Sequence, residues 1–191
     1  VTQLGAYRGI LRDDMAWMNV NGRPDPTQAG TFYRANLPRT MLHDLPSALA
    51  SGVMTSVLLY LNEGDLITNL TFISGSTAAV TPANQWFALY NPAGALLQQT
   101  ADQGAAAWAT NTARTLPLAV PVKITRSGLY QAAVNVNAAT PPSLMGCESA
   151  RPVLTGEQNL AQASGSALAA IAPATITGAA WQRYQPLVIA N

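Results

Sequence analysis

The sequence predicts an all-β protein: an antiparallel β-sandwich, jelly-roll-like, with an N-terminal arm and a long, partly helical segment before the last strand. Three observations carry this reading. Within residues 52–138, apolar residues alternate with small or polar ones at a period of two, the pattern of strands with one face on a core. Short turn signals separate those segments. β-branched residues recur within them too often for a helical module, and short strands at this spacing favour a sandwich or jelly roll over an α/β fold.

Residues 1–30 form the predicted arm. Leu4, Tyr7, Leu11, Met15 and Met18 recur at roughly helical spacing, which would make one amphipathic helix. Gly5 and Gly9 each cost that helix about 1 kcal/mol relative to Ala. Asn21-Gly22-Arg23-Pro24-Asp25-Pro26 ends it. Tyr7, Arg8, Arg12 and Trp17 are the candidate docking residues, because aromatic and arginine side chains are enriched at interfaces. A mobile N-terminal segment is the plainer alternative. Residues 31–191 then form the sandwich domain, with a core module over 52–138, an excursion over 140–177 and a closing strand over 179–190.

In the lead-in, residues 31–51, Thr31–Asn36 is expected as a strand, interrupted by Pro38 and Pro46. In the core module, residues 53–61 and 85–90 are more continuously apolar than the alternating segments, as in strands covered on both faces. Leu66, Thr68, Leu70 and Phe72 alternate, as do Leu116, Leu118, Val120, Val122 and Ile124. Pro117 and Pro121 deny the second set two ladder donors and place it at a sheet edge or a bulge. Tyr130, Ala132, Val134 and Val136 face inward, with Asn135 expected on the outward face, where an aspartate would be tolerated. Asn91-Pro92-Ala93-Gly94 suits a type I turn closing a hairpin, and Gly64 stands where the backbone needs positive φ.

In the excursion, Thr155-Gly156-Glu157-Gln158 resembles a capping box opening a short helix, and residues 166–172 are alanine-rich up to Pro173. Such a long connection is expected on the surface, packed against the sheet or a neighbour. The closing strand carries Trp181 and Tyr184, with Pro186 at an edge.

The chain has 191 residues, enough for one domain that folds without disulfides or metal, and its single Cys147 has no internal disulfide partner. Charged residues make up 10%, against about 25% in an average domain. A surface so short of charge suits packing into an assembly. The net charge of +1, without a basic block, argues against a nucleic-acid partner. No apolar run is long enough for a transmembrane helix, so no membrane partner is expected. The first residues lack a signal peptide's basic and apolar regions, and Val1 fits either a literal GTG start or a processed N-terminus.

No catalytic residue, cofactor site or metal site is assigned. His43 beside Asp44 is read as a surface or interface histidine, since no nucleophile elbow accompanies it. Asp13 and Asp14 are read as ion-pairing with the neighbouring Arg12 and not as an acid–base pair; Glu63 and Asp65 are too few for a calcium site. Asn69-Leu70-Thr71 matches the glycosylation pattern inside a predicted strand. Trp86, Phe87, Tyr90 and Trp108 could stack on sugar, but Trp86 and Tyr90 are read as core.

One series of blocks is more specific: Gly52-Val53-Met54-Thr55-Ser56-Val57, Gly64-Asp65-Leu66-Ile67-Thr68-Asn69-Leu70-Thr71-Phe72, Trp86-Phe87-Ala88-Leu89-Tyr90-Asn91-Pro92-Ala93-Gly94, Gln99-Thr100-Ala101-Asp102-Gln103, Gly128-Leu129-Tyr130 and Pro141-Pro142-Ser143-Leu144. In order and spacing it resembles a β-sandwich module in virion proteins of tailed phages that infect actinobacteria. The likeness spans about residues 45–146 and leaves the first 40 outside. It implies a capsid decoration protein, head fibre or minor tail protein on the virion surface, made in the host cytoplasm. The major capsid protein or another virion protein would be its partner. It carries over no active-site residue. The expectation is a non-enzymatic structural protein; the alternative is a tail or fibre domain binding host-surface carbohydrate. A homo-oligomer, for instance a trimer, would protect exposed strand edges.

Overall fold

The computed structural model describes residues 33–191. The predicted arm, residues 1–30 with Tyr7, Arg8, Arg12 and Trp17, lies outside the described residues. Those that follow are all-β, and every strand pairing among them is antiparallel.

In chain order the strands are β1 (Arg34–Ala35), β2 (His43–Leu45), β3 (Met54–Leu61), β4 (Leu66–Ile73), β5 (Val80–Tyr90), β6 (Leu96–Gln99) and β7 (Ala113–Lys123). They continue as β8 (Gly128–Thr140), β9 (Leu144–Glu148), β10 (Ala161–Ser164), β11 (Ala180–Trp181), β12 (Tyr184–Pro186) and β13 (Val188–Ala190). Three sheets result: six strands in the order β11-β10-β3-β8-β5-β6, four in the order β1-β13-β4-β7, and three in the order β12-β9-β2.

The six- and four-stranded sheets share one core. Val57, Leu59 and Leu61 of β3, Phe87 and Leu89 of β5, and Tyr130, Ala132, Val134 and Val136 of β8 supply one side. Ile67, Leu70 and Phe72 of β4, Leu116 and Leu118 of β7, and Val188 of β13 supply the other. The inward residues of β8 are those the period-two reading selects. Phe72 and Phe87 meet across the sheets at 4.8 Å, and Trp108 packs tilted against Phe87 at 5.8 Å. A bridge between Thr100 and Leu118 links the two sheets at one side.

The turns follow their residues. The Asn91 side-chain oxygen accepts from the amides of Ala93 and Ala95, each at 2.9 Å, and Gly94 takes φ +80°. β7 is an edge strand, as its prolines require. It bulges where Ile67–Val122 pairing gives way to Asn69–Pro117. That excursion turns Val120 to solvent at 59% exposure instead of into the core where alternation placed it.

The excursion corrects the helical expectation, since no α-helix occurs among the described residues. At Thr155-Gly156-Glu157-Gln158, Gly156 adopts φ +83° and the Glu157 amide donates to the Leu154 carbonyl at 3.2 Å. Positive φ at the third position makes a tight turn and ends any helical path. The alanine-rich residues 165–176 instead run as an extended strap over the outer face of the six-stranded sheet. A helix of that length has little stability alone. The sheet offers side-chain partners instead: the Trp86 indole donates to the Ala169 carbonyl at 2.7 Å and the Tyr90 hydroxyl to Pro173 at 3.0 Å. Gln99 accepts from the Ala172 amide at 2.7 Å.

The strap closes a second, smaller core of Met54, Trp86, Ala88, Tyr90, Ala133 and Ala172. Asn135, expected to face solvent, is therefore fully buried. The continuous apolarity of β3 and of residues 85–90 has the same cause.

The closing strand is three short pieces. β11 pairs with β10, β12 with β9 at the edge of the small sheet, and β13 inserts between β1 and β4. The Asn191 carbonyl accepts from the amides of Thr68 and Asn69 at 2.6 and 2.8 Å, which fastens the last residue into the four-stranded sheet.

Candidate functional site

The ionisable side chains of the described residues are mostly engaged in structural bonds. His43 and Asp44 are successive residues of β2, so their side chains point to opposite faces. His43 is exposed, and Asp44 accepts from the Ser76 hydroxyl and, at 3.1 Å, from the Ser76 amide. The Ser76 hydroxyl is the main cause holding the Asp44 carboxyl below its ordinary range. A methyl at Gly75 would collide with this carboxylate, so the loop packs on β2 only because residue 75 is glycine.

Asp65 accepts both Nε and Nη2 of Arg34 at 2.8 Å and the Asn62 amide at 2.9 Å. This bidentate pair ties β1 to the β3–β4 turn and leaves the carboxylate committed. Asp102 accepts from the Gln85 amide at 2.6 Å and from the Asn84 side chain at 2.8 Å. Glu148 pairs with Arg183, and both are exposed. Glu63 is exposed in its turn. No group of three or more metal-ligating side chains occurs among the described residues. Cys147 is half-buried, and burial pushes its thiol up. Asn69 lies in β4 with its side chain on Thr68.

The aromatic residues that could have stacked on sugar do not reach solvent. Trp86, Phe87, Tyr90 and Trp108 are all buried. The Trp108 indole donates to the Thr112 carbonyl at 3.1 Å, and the Arg114 guanidinium covers its ring at 4.7 Å. Burial raises the Tyr90 hydroxyl far above its ordinary range.

Among the described residues several large apolar side chains are exposed instead, and two places group them. One is the turn at residues 151–160. Val153 and Leu154 project there at 88% and 72% exposure. The Glu157 carboxylate accepts both their amides, at 2.9 and 3.2 Å, which fixes the turn and lowers the carboxyl's own pKa. Arg151 at its base lies over Trp181 at 4.7 Å. Two successive branched side chains are thus held out on a clamped backbone. Sequence reasoning passed over them because Glu157 read as a helix cap.

The other feature is the half of the six-stranded sheet's outer face that the strap leaves open. Tyr60 of β3 and Leu129 of β8 are directly paired there and about half exposed. Leu160, whose carbonyl takes the Leu58 amide at 3.0 Å, stands beside them. An amide and hydroxyl row, Ser56, Gln131 and Gln162, borders the patch. Alternation does place Tyr60 and Leu129 opposite the core; the sequence signal was there, masked by the apolar run around Tyr60.

No family model matches the chain, and no curated protein matches it.

Proposed function

We propose that this protein is a non-enzymatic structural component of a phage virion surface, most simply a capsid decoration protein. In this reading its sandwich is a jelly-roll-like module that attaches through distributed apolar and arginine contacts. The observation that carries the reading is the pairing of a charge-poor surface with large apolar side chains on a clamped turn, Val153 and Leu154. Exposed apolar groups on a fixed backbone have a low ordering cost on binding, which suits permanent assembly. Carboxylates spent on backbone amides and arginine support the same reading, as does the resemblance over residues 45–146. The carbohydrate-binding alternative draws no support from Trp86, Phe87, Tyr90 or Trp108, which are buried.

The test is retention on purified virions, scored across alanine substitutions at Tyr7, Arg8, Arg12, Trp17, Val153 and Leu154, beside a glycan-hydrolysis screen. Stepwise loss of retention without hydrolysis is expected. Hydrolysis abolished by Glu63→Ala would overturn the reading. Densitometry giving a few copies per particle instead of hundreds would move the protein to the tail.

A further inference from the structure

We propose that a water molecule is bound beneath the strap, hydrogen-bonded to the side-chain amide of Asn135 and to the strap's backbone near Leu168 and Ala169. This goes beyond the virion reading and does not depend on it.

Asn135 stands on the outer face of β8, directly paired with Trp86 of β5. Its side chain is fully buried, and neither Oδ1 nor Nδ2 has a hydrogen-bond partner among the described residues. An amide offers two donor hydrogens and two acceptor positions, so its whole bonding capacity is unmet by the protein. Native cores avoid such groups, because their desolvation is not repaid. The aromatic polar atoms beside Asn135 are satisfied: the Trp86 indole by the Ala169 carbonyl at 2.7 Å and the Tyr90 hydroxyl by the Pro173 carbonyl at 3.0 Å. Asn135 is the exception among them.

The strap supplies the other side of the site. Gly52 donates its amide to the carbonyl of Val136, next to Asn135, at 3.1 Å, and its own carbonyl accepts the Leu168 amide at 2.9 Å. A methyl at Gly52 would come within 3.2 Å of the Ala167 Cα, so the strap's backbone lies directly on the sheet there. On the other side of Asn135, Trp86 holds Ala169. The amide therefore lies between two successive points at which the strap is fixed. Gly52 has no side chain, and Ala133, two residues along the same face of β8, has only a methyl, so neither crowds the amide.

The chemistry selects water as the ligand. The site needs a small group that both donates and accepts. The surrounding core of Met54, Trp86, Ala88, Tyr90, Ala133 and Ala172 carries no charge that would hold an ion. Buried waters bond to about three otherwise unsatisfied polar groups and occur roughly once per 27 residues in globular proteins. Held at Asn135, the water links the interior of β8 to the strap.

The experiment is NMR on the full chain, reading NOEs between water and the Asn135 side-chain amide protons, together with oxygen-17 relaxation dispersion of the solvent. An NOE with the sign of a long-lived bound water is expected at Asn135. Asn135→Leu should lower the number of long-lived waters by about one per molecule. Gln131→Leu, an amide on the same face of β8 beside the open half, should leave that number unchanged. If Asn135→Leu does not fold, the NOE in the native chain decides alone. Absence of that NOE, an unchanged count in folded Asn135→Leu, or an equal loss in Gln131→Leu would each overturn the proposal.

Discussion

The two halves of the six-stranded sheet's outer face begin alike and end differently. Both carry large apolar side chains at alternate strand positions, Met54, Trp86 and Tyr90 in one half and Tyr60 and Leu129 in the other. Over Met54, Trp86 and Tyr90, residues 165–176 close the surface and satisfy the indole and phenol with backbone carbonyls. Over Tyr60 and Leu129 no described segment does so. The difference is not in the strands but in a distant part of the chain. It teaches that an apolar strand face becomes core only when another segment supplies both cover and hydrogen-bond acceptors.

Breaking the shared core should have the largest effect. Val134→Asp puts a carboxylate between the two main sheets and should cost above about 4 kcal/mol, read as loss of cooperative melting. Trp86→Ala, under the strap, should cost roughly 3–5 kcal/mol in denaturant melts. Asn135→Asp sharpens the comparison further. Asn135 is fully buried among the strap-covered residues, and its amide has no hydrogen-bond partner among the described residues. A charge there should cost roughly 2–3 kcal/mol, where an outward residue would have tolerated it.

The register of β8, the edge position of β7 and the hairpin at Asn91–Gly94 were all legible in the sequence, because each is set by neighbours within a few residues. The strap was not. Residues 165–176 have no period of their own, and their conformation is decided by Trp86, Tyr90 and Gln99, far away along the chain. The same blindness put Asn135 on the wrong side of the solvent boundary. Of the candidate site, Glu157 was noticed for its spacing and given the wrong partner: it binds amides before it instead of opening a helix after it. Val153 and Leu154 became visible only with that turn in place.

A smaller effect comes from outside both halves. Asp44, held by Ser76, has a lowered pKa, so it stabilises the fold above its unfolded value of about 4 and the gain is lost as pH falls through the folded value. Acid melts should show this dependence in the native chain and a weaker one in Ser76→Ala. An unchanged acid limb would remove the Asp44–Ser76 contact from the account. The smallest effect belongs to the open half: Tyr60→Ser should shift stability by no more than about 0.5 kcal/mol. A shift as large as that of Trp86→Ala would erase the contrast.

The division of the outer face into a closed, structural half and an open one is tested most directly by hydrogen exchange on the whole chain, read residue by residue. The amides of Leu168, Ala172 and Ile176, bonded to Gly52, Gln99 and Gly94, should exchange as slowly as those of the β8 interior. Exchange of residues 165–176 at the rate of an exposed loop, with β8 still protected, would contradict it.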